Sequence, residues 1–156
     1  MSEHHELIKV LNEAVSLEYT AAIQYNQHSM LLTGRDRVLF EGIFRHHSEE
    51  SLKHAKMWGE RIVYLGGMPK AETGTVQQSA NTIEMLEMDL EVEKKAVEIY
   101  SRAHKVCKHE ATRYMLENHI LEEDRDVEEM QKLLGKVAMT DAAASDSRKV
   151  AALARH

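Results

Sequence analysis

The sequence predicts an all-α protein, a bundle of four long helices, and three observations carry that expectation. One proline and seven glycines in 156 residues leave long stretches without a helix breaker, and aromatic residues make up only 5% of the chain. Apolar residues recur at helical spacing in four separate stripes. Each stripe also places an ionisable side chain where its period calls for a core residue. With 43% hydrophobic residues the chain suits one domain, residues 1–156, with the bundle over about 5–135 and a tail over 136–156.

Helix one is expected from about Glu6 to Leu32, where Leu7, Leu11, Ala14, Ala21, Tyr25 and Leu32 share a stripe with Glu18 at its centre. Thr33-Gly34 supplies the stop. The second stripe reads Phe40, Ile43, His47, Ser51, His54, Trp58, Ile62 and Leu65, and ends at Gly66-Gly67 with Pro69 just beyond. From Gly66 to Ala80 the chain is rich in Gly, Thr, Ser and Gln without an apolar period, which predicts a long crossover between helices two and three. Asn81 is the expected N-cap of helix three, with Glu84 three residues on, and the stripe then runs Ile83, Leu86, Leu90, Glu93, Val97, Tyr100 and His104. A tight turn is expected near Cys107 to Ala111, although neither Gly nor Pro marks it. The fourth stripe is Leu116, Ile120, Glu123, Val127, Met130 and Leu134, stopping at Gly135. The tail, with Val150-Ala-Ala-Leu153, is either a short fifth helix or a frayed end.

Twenty Lys and Arg against 26 Asp and Glu give a net charge of −6, which argues against a nucleic-acid surface and leaves metal cations as partners. Cys107 is the only cysteine, so no internal disulfide forms, and a reducing compartment, the cytoplasm, is expected. No stretch is apolar enough to cross a membrane.

The chemistry lies in the stripes. Glu18, His54, Glu93 and Glu123 with Asp126 stand on four different helices, each in core register. A carboxylate buried without a partner is costly enough to change its pKa or find a counter-ion, and four helices donating such groups imply one shared cation. Taken singly, each glutamate is a surface residue or half of an ion pair with Lys or Arg; their common register is what points to a metal. Oxygen ligands with some imidazole suit iron or manganese better than the thiolate sites of structural zinc. Glu123-x-x-Asp126 sets two carboxylates on one helical face. Di-iron bundles use a Glu from each of two helices and a Glu-x-x-His pair from each of the others. Glu18 and Glu93 fit the single positions, but Ser51 precedes His54 where a Glu belongs, and Asp126 stands where the second His belongs. Tyr25, seven residues after Glu18, and Met57, Met85, Met88, Met115 and Met130 read as packing. His4, His5, His104, His109 and His119 receive no role on these grounds.

Leu11-Asn12-Glu13 through Glu18, Ala22-Ile23-Gln24-Tyr25, Lys53-His54-Ala55, Glu60-Arg61-Ile62 and Leu65-x-Gly67-Met68-Pro69 resemble the bacterioferritins. So do Asp89-Leu90-x-x-Glu93 and Thr112-Arg113-x-x-Leu116-Glu117, and the likeness spans about residues 8 to 134. The resemblance implies a ferritin-like bundle that assembles into a cage of 24 subunits, oxidises ferrous iron with oxygen or peroxide, and stores the ferric mineral. It implies that Glu18, His54, Glu93 and Glu123 are catalytic metal ligands: Glu18 and His54 on one iron, Glu93 and Asp126 on another, Glu123 bridging. Ser51 replaces a bridging glutamate and weakens the expected di-iron site, with His47 or Glu50 as the residue to compensate. His46 and Glu50 resemble a pair that binds iron on the inner surface of the cage. Leu52 occupies the position of the family's haem-ligating methionine, and since leucine cannot ligate iron, haem is not expected by that route. The competing readings are a ferroxidase-impaired shell subunit of a homo-oligomeric or mixed cage, and a small ferritin-like metal-binding dimer.

Overall fold

The computed structural model describes residues 3–137. The expected helix or frayed end beyond lies outside the described residues. Four helices follow in order: α1 (His5–Leu31), α2 (Gly34–Tyr64), α3 (Thr82–Val106) and α4 (Glu110–Leu133). Thr82 Oγ1 donates to Asp36 Oδ2 at 2.6 Å, which sets the starts of α2 and α3 at one end of the bundle. At the other end the His109 ring, just before α4, meets His4 and Tyr64. Helices α1 and α4 therefore run one way and α2 and α3 the other, the arrangement a long crossover permits.

Local chemistry accounts for the ends. Gly66 (φ 88°) closes α2, with Gly66 N–H bonded to Val63 O and Gly67 N–H to Ile62 O. Gly135 (φ 66°) repeats this at α4, with Gly135 N–H on Lys132 O and Lys136 N–H on Gln131 O. Both are Schellman closures, in which only glycine takes the left-handed position freely. Asn81 caps α3 by accepting from Glu84 N–H at 3.0 Å. The Glu84 carboxylate reaches Ser79 Oγ instead of the cap's own amide, and Ser79 Oγ in turn accepts from Asn81 N–H. The unmarked turn between α3 and α4 is explained by His109, whose Nδ1 accepts from Thr112 N–H and caps α4.

The apolar stripes pack as expected except in α3, where Ile83 is exposed in the first turn, the core begins at Met85 and Leu86, and Val97 is half-buried outside both core clusters. The core itself is divided. One cluster gathers around Leu7, Leu11, Trp58, Ile62, Tyr100 and Leu116. The other gathers around Tyr25, Phe44, Met85, Leu86, Leu90 and Met130. Between them in sequence register, α1 to α4 contribute Glu18, His47, Ser51, His54, Glu93, His119 and Glu123.

The crossover is held along α1 by polar side chains at helical spacing. Asn12 Nδ2 donates to Met68 O and Asn12 Oδ1 accepts from Lys70 N–H, Thr20 Oγ1 accepts from Gly74 N–H, and Gln24 Oε1 accepts from Gln77 N–H. Gln24 Nε2 and His28 Nδ1 also hold the two oxygens of fully buried Asp89 on α3, each at 2.9 Å. A segment without an apolar period thus satisfies its backbone against one helix face.

Candidate metal centre

Glu18 comes from the middle of α1, His47 and His54 from α2, Glu93 from α3, and His119, Glu123 and Asp126 from α4. Spacings of three, four and seven keep these groups on the inward face of each helix. They form two clusters. In the first, donor atoms of Glu18, His54, His119 and Glu123 all lie within 4.8 Å of one another. Its contacts include Glu18 Oε2 to His54 Nδ1 at 3.6 Å, Glu18 Oε1 to His119 Nε2 at 3.6 Å, and Glu123 Oε1 to His54 Nδ1 at 3.4 Å. In the second, His47 Nδ1 stands 3.8 Å from Glu93 Oε1 and 4.0 Å from Asp126 Oδ2.

Two tyrosines brace the carboxylates from behind. Tyr100 donates to Glu18 Oε1 at 2.5 Å, and Tyr25 donates to Glu93 while its ring stacks on His47 at 4.9 Å. Tyr25 therefore packs, as expected, and also holds a site carboxylate.

The electrostatics are those of a cation site. Burial and then the charge of Glu18 push the Glu123 carboxyl up to about 9. Burial and the facing Glu123 raise Glu93 well above the usual carboxylate range, and burial raises Asp126 against the pull of His47. Burial would raise Glu18 too, but His119, His54 and the Tyr100 hydroxyl outweigh it and hold this carboxyl low. Burial lowers His47 despite Asp126. Among the described residues, the ion-pair partners of these four carboxylates are histidines, with no Lys or Arg. In the protein alone burial and mutual repulsion therefore favour a proton on Glu123, while histidines and the Tyr100 hydroxyl hold Glu18 ionised, and a divalent cation would relieve the repulsion and displace that proton.

The residues fit a metal on a second ground. His119 Nε2 lies 2.8 Å from Glu123 Oε1, yet the two lack the alignment of a hydrogen bond, and both atoms are buried without a hydrogen-bond partner. Orphaned buried polar atoms cost stability, and a cation shared by the two would satisfy both.

The sequence gives no separate sign of His119 as a ligand beyond its spacing: Leu116, His119, Glu123, Asp126 and Met130 follow a strict three-four alternation along α4. Ser51 is buried between His47 and His54, one turn from each, and offers no carboxylate. Of the two residues expected to compensate, the structure brings His47 into the layer, whereas Glu50 pairs with Lys53 Nζ at 2.7 Å. His46 and Glu50 are not part of either cluster. They line a surface notch of about 240 Å³ with His47, His54, Glu122, Arg125 and Asp126. Leu52 is 56% exposed on the outer face of α2.

Fold and site together define a four-helix bundle with a histidine–carboxylate interior. The sequence profile of the ferritin-like domain matches residues 8–140. The chain is 30% identical over 131 residues to the bacterial ferritin of Neisseria meningitidis serogroup B, covering 83% of each. It is 31% identical over 110 residues to the bacterioferritin of Streptomyces coelicolor, covering 69% of this chain and 66% of the other. The chain belongs to the bacterioferritin/ferritin-like family. Among solved structures, a ferritin-like, diiron-carboxylate protein from Bacillus anthracis str. Ames superposes with a TM-score of 0.82 at 28% identity, covering 86% of this chain and 99% of that one. A dodecameric thioferritin from Bacteroides fragilis shares the fold, with a TM-score of 0.77 at 23% identity over 85% of this chain and 86% of that one. Family membership and the two ligand groups support iron storage as the broad role. No helix among the described residues is long and apolar enough to cross a membrane.

Proposed function

We propose that this protein is an iron-storage and detoxification subunit that binds ferrous iron inside its bundle, oxidises it, and passes it to a mineral held in an oligomeric cage. The observation that carries the reading is the convergence of four carboxylates and three histidines from all four helices, among the described residues without a Lys or Arg to neutralise them. Glu18, His54, His119 and Glu123 are the ligands of one ion, and His47, Glu93 and Asp126 those of its neighbour. His119 and His47 thereby supply donors where Ser51 offers no carboxylate and Asp126 no imidazole. Two ferrous ions at adjacent positions give one electron each, and the electron pair with two protons reduces oxygen to hydrogen peroxide or hydrogen peroxide to water. The Tyr100 and Tyr25 hydroxyls hold Glu18 and Glu93 in place, and burial keeps bulk water from competing for the donors. Exposed apolar side chains along and just beyond α1 and α2, including Ile23, Met30, Leu52, Val63, Tyr64 and Met68, supply surface that an assembly would cover.

Stopped-flow oxidation of Fe(II) by the apo-protein tests the reading. The wild type is expected to oxidise iron faster than the Glu18→Ala, Glu93→Ala double variant. Equal rates leave the second reading, a shell subunit without ferroxidase activity, which Ser51 favours because it supplies no carboxylate between the two clusters. Light scattering is expected to give a closed multimer; a mass no larger than a dimer removes the storage role, since no cavity would exist.

A further inference from the structure

We infer that the two clusters are unequal metal sites: Glu18, His54, His119 and Glu123 form a closed site that retains one divalent ion, while His47, Glu93 and Asp126 form an open site through which iron exchanges. The inference rests on the metal-binding reading above and assigns each half of the site its own part.

Donor number separates them first. The closed site offers two carboxylates and two imidazoles, four protein donors that balance a divalent charge, complete a tetrahedral zinc site and supply four positions of an iron or manganese site without a bridging residue. The open site offers three donors and leaves a position for water or an incoming ion. Exposure separates them again. The side chains of Glu18, His119, Glu123 and His54 are 5%, 2%, 3% and 13% exposed and those of Glu93 and His47 7% and 11%, so the difference lies in Asp126, which is 34% exposed. The surface notch is lined by Asp126 and His47 of the open site and by His54 of the closed one, with His46, Glu50, Glu122 and Arg125 around them, so it presents two donors of the open site beside one of the closed. The unpartnered buried atoms place tight binding in the closed cluster, to which His119 Nε2 and Glu123 Oε1 both belong; a tyrosine hydroxyl holds one carboxylate in each cluster, Glu18 by Tyr100 and Glu93 by Tyr25. Ser51 breaks the link on which equal sites would depend, because no carboxylate at that position ties one cluster to the other. The sequence thus trades a shared bridge for a second histidine, His119, on one side.

The test loads apo-protein anaerobically with Fe(II) and counts iron per subunit by mass spectrometry before and after passage over a chelating resin. Two ions are expected before and one after. His119→Ala is expected to cut the retained iron at least roughly ten-fold, while Asp126→Asn lowers the loaded total and keeps the retained ion. Circular dichroism checks that both variants stay helical. Anomalous diffraction from wild-type crystals soaked in Fe(II) and stripped needs no variant, and its peak is expected among Glu18, His54, His119 and Glu123. Equal retention of both ions, retention of neither, or a retained ion beside His47 and Glu93 overturns the inequality while leaving metal binding intact. No iron bound even before stripping overturns both this inference and the reading on which it rests.

Discussion

Glu123 titrates at about 9 in the folded chain against an ordinary 4.5, so between those values the folded protein keeps a proton that the unfolded chain has released. Its contribution to stability is full below 4.5 and is lost as pH climbs through 9, which makes the metal-free protein less stable with rising pH across that window. Glu123→Gln, neutral at every pH, is expected to flatten this decline in denaturant melts taken at stepped pH. A decline as steep as that of the wild type would show that other groups govern it. Tyr100 acts on the opposite carboxylate: its hydroxyl is the closest donor to Glu18, and both are buried. Tyr100→Phe is expected to cost about 1.5–3 kcal/mol, the range for a hydrogen bond to a charged group, read as a lower urea midpoint at unchanged slope.

The crossover depends on α1 more than on its own sequence. Asn12 alone satisfies a carbonyl at Met68 and an amide at Lys70. Asn12→Ala strands both, at an expected cost of about 1–3 kcal/mol, and hydrogen exchange at the Lys70 amide should quicken while amides in the middle of α3 keep their protection. Unchanged exchange at Lys70 would mean that the clamp adds nothing. Gly67 is the other constrained point, because a Cβ there would stand 2.7 Å from Ile8 Cγ2 and 2.9 Å from Ile62 Cγ2. Gly67→Ala is expected to destabilise by about 1–3 kcal/mol as those side chains are forced aside, measured by thermal melts.

The principal packing runs between α1 and α2, α3 and α4, and α1 and α3. Across the remaining seam, α2 faces α4 through His47, His54, His119, Glu123 and Asp126. A metal ion there would join the two helices through ligands in the polar layer between the two apolar clusters. Fe(II) under anaerobic conditions, or Mn(II), is therefore expected to raise Tm with concentration, by about 5–10 °C at roughly 100 times Kd. A Tm independent of either ion would deny the site any hold on the fold.

Helix number, the order of the elements, the long crossover and the Asn81 cap were all legible in the sequence, because periodicity, glycine stops and capping residues act through neighbours in the chain. So were Glu18, Glu93 and Glu123, whose positions in core register conflict with their charge. His119 and His47 were a different matter. A histidine on an inward face reads equally as packing or as a ligand, and only the approach of α2 and α4 shows which groups its nitrogens meet. The same holds for Asp89, His28 and Gln24, whose partners lie more than 45 positions away. The sequence alone determined that acids would be buried in a four-helix bundle, since local periodicity sets which residues turn inward. Only the tertiary structure decided how they divide into two groups, because that division depends on distances between helices, which no spacing along a single helix contains.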